Sequence, residues 1–137
     1  ALALRGEDEI GFTTIDLLRV DLFTGEGDIY KYGAAPSYVK KGTAVSRVTG
    51  CALPAGLAGG EGGAPDVTHL KLEAGDCVLL ISDGVTGGQP DQWVRDKLSA
   101  FDGQSPRELA QELIDESEQQ AGAADDRTAL VLRLSKR

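Results

Sequence analysis

The stretch Gly75-Asp76-Cys77-Val78-Leu79-Leu80-Ile81-Ser82-Asp83-Gly84-Val85-Thr86-Gly87-Gly88 decides how the chain folds. Cys77 to Ile81 are five consecutive apolar residues with strand length and β-branched content, and glycines bound them on both sides. This predicts a buried strand that delivers Asp83 to its C-terminal end. Gly84 lacks a Cβ, so the backbone behind that carboxylate can take a positive φ or let another group approach closely. A metal ligand can be built in this way. The alternative is a plain strand-ending turn with a solvated Asp83.

The other end of the chain weighs between the two. Ala124-Asp125-Asp126-Arg127-Thr128-Ala129-Leu130-Val131-Leu132-Arg133-Leu134 opens a second strand with paired acids. Adjacent carboxylates at a strand mouth repel unless a cap or a cation neutralises them, and hard cations such as Mg or Mn take oxygen ligands. Together the two strand ends suggest half a metal site.

In order along the chain, Leu-Glu-Ala-Gly-Asp (72 to 76), Leu-Leu-Ile-Ser-Asp-Gly-Val (79 to 85) and Asp-Asp-Arg-Thr-Ala-Leu-Val-Leu (125 to 132) form a series. It resembles the closing motifs of metal-dependent protein Ser/Thr phosphatases, most closely the bacterial stage II sporulation protein E branch of the protein phosphatase 2C superfamily. Phe12-Thr13-Thr14-Ile15-Asp16-Leu17, Thr24-Gly25-Glu26, Gly33-Ala34-Ala35-Pro36-Ser37-Tyr38 and Leu53-Pro54-Ala55-Gly56 agree with that branch, so the likeness runs from about residue 1 to 134.

The resemblance implies an α+β fold, a four-layer α-β-β-α sandwich of antiparallel sheets with flanking helices. Residues 1–137 would form one domain, the C-terminal portion of a protein phosphatase 2C-like domain truncated at its N-terminus. It also implies hydrolysis of phosphoserine and phosphothreonine in a phosphoprotein, with two Mn or Mg ions activating a water that attacks phosphorus in line. By motif position, Asp83 and Asp125 match the family's two later metal ligands, with Gly84 and Asp126 in supporting places and no catalytic residue beyond the ligands. The family's bridging Asp lies upstream of the segment that begins at Ala1, so the 137-residue piece alone is expected to be inactive and the intact domain active. A rival reading is a phosphatase-like interaction module without catalysis, and a third is a general divalent-ion-binding domain.

Composition narrows the partners. The 22 acidic and 14 basic residues give a net charge of -8, which argues against unaided binding to nucleic acid or to an anionic membrane surface. With 41% hydrophobic residues the chain can bury a core, yet it has no apolar run long enough to cross a bilayer. Cys51 and Cys77 are too few for a disulfide scaffold, and a reducing cytoplasm fits them. No signal peptide or lipidation motif is seen; tethering of the parent through another segment is compatible with this.

In chain order, Ala1 to Arg5 reads as a helix tail ended by Gly6, and Ile10 to Phe23 as one long strand. Thr24 to Asp28 is a hairpin loop, Ile29 to Tyr32 a returning strand and Gly33 to Pro36 a bend. Strands Ser37 to Lys41 and Ala44 to Thr49 flank Gly42, completing an antiparallel meander. Asp16, inside the first strand, is expected to be a hydrogen-bonded structural residue. Residues 54–66, with five Gly and two Pro, read as a mobile surface loop rather than a phosphate cradle. His69, in a strand from Val67 to Leu72, has no partner spaced to share a metal and is left out of the site. Pro90 to Leu98 begins a helix anchored by Trp93. A second helix follows Ser105-Pro106-Arg107-Glu108, with Leu109, Leu113 and Ile114 as its apolar stripe and Glu116, Glu118 and Gln119 on its solvated face. Strands missing from a partial domain would leave sheet edges and apolar faces open to self-association.

Overall fold

The computed structural model describes residues 14–33, 35–50, 64–102, 105–121 and 126–135. These residues form seven strands and two α-helices in two antiparallel sheets, so the α+β class is observed. The chain divides into two compact units, residues 1–34 with 49–71 and residues 35–48 with 72–137.

The first unit holds the sheet β1 (Ile15–Val20), β2 (Glu26–Tyr32) and β5 (Asp66–Lys71), ordered β1-β2-β5. Strand β1 is shorter than expected among the described residues. Asp21 ends it: the Asp21 side chain accepts hydrogen bonds from the Phe23 and Thr24 amides, and Gly25 takes a positive φ of 77°. Leu22 and Phe23, which extended the apolar run, sit exposed in this turn. The hairpin loop therefore closes before Glu26, and Gly27 and Asp28 belong to β2, opposite Val20 and Arg19. Gly27 is required there, because a Cβ would lie 2.5 Å from the Arg19 carbonyl. Asp16 behaves as expected, bonding at 2.7 Å to the buried Lys31 ammonium directly across the strands. Ile15, Leu17 and Val67 leave apolar surface exposed on this sheet.

The second sheet is ordered β4-β3-β6-β7, with β3 (Ser37–Lys41), β4 (Ala44–Val48), β6 (Cys77–Ile81) and β7 (Ala129–Arg133). The chain thus makes two hairpins in two different sheets rather than one continuous meander. Interior strands β3 and β6 are almost wholly buried; β6 accordingly reads as a continuous apolar run, whereas β3 buries Ser37 and Lys40 beside Tyr38 and Val39. Burial pushes the Cys77 thiol pKa up, partly offset by the nearby Lys40 and Arg133 charges.

Helices α1 (Gln92–Ala100) and α2 (Pro106–Ala121) belong to this unit. Their residues Val94, Leu98, Leu109 and Leu113 form one core with Tyr38, Cys77, Leu79 and Ile81, and Trp93 and Ile114 pack against it. Ser105 caps α2 by accepting from the Glu108 amide at 3.1 Å, as the Ser-Pro-Arg-Glu pattern predicts. Tyr38, fully buried on β3, donates to Asp91 at the start of α1 at 2.7 Å, and Arg47 reaches the same carboxylate oxygen at 3.5 Å. The expected N-terminal helix tail, residues 1–6, and most of the glycine-rich loop lie outside the described residues. No described helix is long and apolar enough to cross a membrane.

Candidate metal centre

Strand β6 ends at Ile81, opposite Ala129 of β7, and the pairing continues one step further. The Ser82 amide donates to the Thr128 carbonyl at 3.0 Å, while the Thr128 amide donates to Ser82 Oγ at 2.9 Å. This double contact ties the end of β6 to the start of β7. Asp83 follows as the first residue of a short 3-10 turn, Asp83–Val85, closed by the Val85 amide on the Ser82 carbonyl at 3.1 Å and the Gly87 amide on the Asp83 carbonyl at 3.0 Å. Val85 anchors the turn in the core and Gly84 is buried, whereas Asp83 is exposed. The turn is closed by its own hydrogen bonds, and Asp83 is left exposed to solvent.

Asp126 is also exposed, two residues before Thr128 at the same sheet end. Asp125, the second expected ligand, lies outside the described residues. Among the described residues no group of three or more His, Cys, Asp or Glu side chains stands close enough to hold an ion. The described donors at this rim are carboxylate oxygens without thiol or imidazole, a set that suits Mg or Mn better than Zn.

One residue at this end of the sheet escapes a reading of the sequence. Ser117 of α2 is fully buried. Its Oγ accepts from Arg127 Nε at 2.7 Å and donates to the Val85 carbonyl, with the Gly84 carbonyl 3.5 Å away. The available signal was a polar residue at the next position of the Leu109, Leu113 stripe.

His69 lies on β5 in the other unit. Its Nδ1 bonds Asp28, which also accepts from Arg19 at 3.0 Å. These contacts, the His69 hydrogen bond foremost, hold the Asp28 carboxyl below the usual carboxylate range against the opposing effect of burial.

Comparison with known proteins gives the family. The family described as Stage II sporulation protein E (SpoIIE) matches residues 1–135, and the chain belongs to that family. It is 31% identical over 140 residues to stage II sporulation protein E of Bacillus subtilis (strain 168), covering 97% of this chain and 17% of that protein. The corresponding protein of Priestia megaterium is 32% identical over 120 residues, with 84% and 20% covered. The chain therefore spans a fifth or less of the curated relatives it matches. Among solved structures, the phosphatase domain of the cell fate determinant SpoIIE from Bacillus subtilis, presoaked with Mn, superposes with a TM-score of 0.77 at 29% identity, covering 99% of this chain and 62% of that one.

Proposed function

We propose that this stretch is the C-terminal portion of a protein phosphatase 2C-like domain that removes phosphate from serine and threonine of a phosphoprotein with Mn or Mg. The observation that carries the reading is the rim itself. Asp83 leads a short hydrogen-bonded turn whose strand is tied through Ser82 and Thr128 to the segment that bears the acid pair Asp125-Asp126. Asp83 and Asp125 would supply ligand carboxylates, Gly84 leaves the backbone room beside Asp83, and Asp126 orients its neighbour. When bound, a pair of such ions lowers the pKa of the attacking water and stabilises the attacking and leaving oxygens. The chain's own part is to hold the carboxylates still at a solvent-facing edge, where a phosphorylated side chain can enter. A cytoplasmic address and self-association through sheet-edge strands belong to the same reading, and cell fractionation and sedimentation test them.

The experiment uses the full-length protein. Turnover of p-nitrophenyl phosphate and of a phosphoserine peptide is expected with Mn and is lost with EDTA. Asp83→Asn and Asp125→Asn should each abolish it while changing the thermal midpoint little, because each removes a ligand charge and no core volume. Metal-independent turnover refutes the mechanism. Manganese binding with no turnover on either substrate favours the non-catalytic interaction module.

A further inference from the structure

We propose that Ser117 and Arg127 are positioning residues which set the divalent-ion affinity of the Asp83 turn through helix α2. The inference rests on the metal-dependent reading above and extends it to residues that touch neither metal nor substrate.

A serine on the core face of a helix is out of place unless its hydroxyl is used. Leu109 and Leu113 precede it on the same stripe, and Ser117 is as buried as Leu113. A hydroxyl has one proton to give and lone pairs to receive. Here the proton goes to the Val85 carbonyl, and the Arg127 Nε–H fills a lone pair. Because the incoming donor is a cation, it polarises the hydroxyl and strengthens the bond that the hydroxyl makes onward. The result is a relay from Arg127, next to Asp126, through α2 to the backbone of the turn that begins with Asp83.

Geometry gives this relay its effect on the ligand. The turn has three residues, and its carbonyls at Gly84 and Val85 face Ser117 while Asp83 stays exposed. Pulling those carbonyls toward α2 fixes the rotation of the turn, and with it the direction in which the Asp83 carboxylate leaves the backbone. The Ser82–Thr128 contacts hold the strand ends, and the Ser117 bonds add to the core anchor of Val85 in holding this rotation. Loss of the relay therefore loosens the ligand without removing it. Outer contacts of this kind are worth about 10-fold or more in metal affinity.

The test is Mn titration calorimetry on the full-length protein, with the Mn dependence of turnover and the thermal midpoint measured on the same samples. Ser117→Ala and Arg127→Gln should each weaken Mn binding about 10-fold, with kcat at saturating Mn close to wild type. Ser117→Thr, which keeps the hydroxyl, should restore most of the affinity. In the double variant the losses should not add, since both residues serve one relay. Arg127→Gln leaves the packing of α2 intact, so it still decides the matter if Ser117→Ala folds poorly. A lowered thermal midpoint with unchanged Mn affinity in Arg127→Gln overturns the proposal and leaves a merely structural contact. Asp83→Asn runs alongside as a control. If it abolishes Mn binding while Arg127→Gln does not alter it, the relay alone is refuted; if Asp83→Asn also binds Mn normally, the metal reading falls as well.

Discussion

Replacing Tyr38 by phenylalanine isolates one polar contact in the core of the second unit. The ring is fully buried and Phe keeps its volume, so no cavity opens and the change reads the hydroxyl alone. That hydroxyl donates to Asp91 at 2.7 Å and ties β3 to the start of α1. A hydrogen bond to a charged acceptor contributes about 1.5–3 kcal/mol. Asp91 keeps Arg47 at 3.5 Å and is partly solvated, which places the expected loss at the low end, about 1.5–2 kcal/mol. For a domain of this size that is about 4–8 °C in Tm. The pH dependence makes the test sharper. Burial first, and then the bond to Asp91, raise the Tyr38 pKa in the folded state far beyond its ordinary value. Unfolded tyrosine titrates near ~10. Above that pH the unfolded chain gives up the proton while the folded chain keeps it, so the Tyr38 contribution, fully present below ~10, falls by up to about 1.4 kcal/mol per pH unit. Phenylalanine has no proton to lose. In urea unfolding, the Tyr38→Phe deficit should therefore shrink as the pH passes ~10. A deficit below about 0.5 kcal/mol at pH ~7, or one that stays constant above pH ~10, refutes the argument.

Two further perturbations follow from local geometry. Gly75 precedes β6 at φ 93° with open space where a Cβ would go, so Gly75→Ala should cost about 1–2 kcal/mol through backbone strain alone and leave the core unchanged, as measured by urea unfolding. His69→Gln should raise the Asp28 carboxyl pKa toward the usual range in a carbon-13 titration, with a smaller rise for Arg19→Gln, because the His69 bond is the largest cause of its depression. The sign follows: the stability Asp28 contributes is present above its unfolded pKa and lost as pH falls through the lower folded value. An Asp28 titration that neither substitution moves would contradict the assignment.

How much of the fold could be read in advance depended on whether the deciding signal was local. Strands β3 and β6 were expected at their observed bounds, since β3 runs up to Gly42 and the apolar run of β6 starts just after Gly75, glycines that adopt φ of 62° and 93°. Both helices carried their start signals in the sequence. The first hairpin went wrong for a local reason that was visible but outweighed. Leu22 and Phe23 prolonged the apolar run, while the true stop was Asp21, whose side chain captures the next amides. Two antiparallel sheets were implied by the family resemblance, but the point at which the chain passes from one to the other was not legible in the residues. Whether β3 pairs with β2 or with β6 is settled by contacts such as Tyr38 beside Leu79, forty-one residues apart, and no short window carries that choice.

The rim divides along the same line. The reading of Asp83, Gly84 and the acid pair at 125 and 126 as site residues drew on a strand, a turn and a charge pattern, each written within a few residues. Ser117 was not, because its partners lie 10 and 32 positions away and its side chain type favours a helix surface. Its position still held a clue. The spacing that puts Leu109 and Leu113 in the core puts position 117 there too, and a buried hydroxyl must find an acceptor. The acceptor it found is the backbone of the Asp83 turn. Motif residues thus specify which oxygens face the solvent, whereas non-local contacts fix how firmly those oxygens are held. A site with the right motifs on a turn free to rotate would bind its ion weakly, so on the proposal above the relay through α2 would belong to the centre, where motif matching alone does not find it.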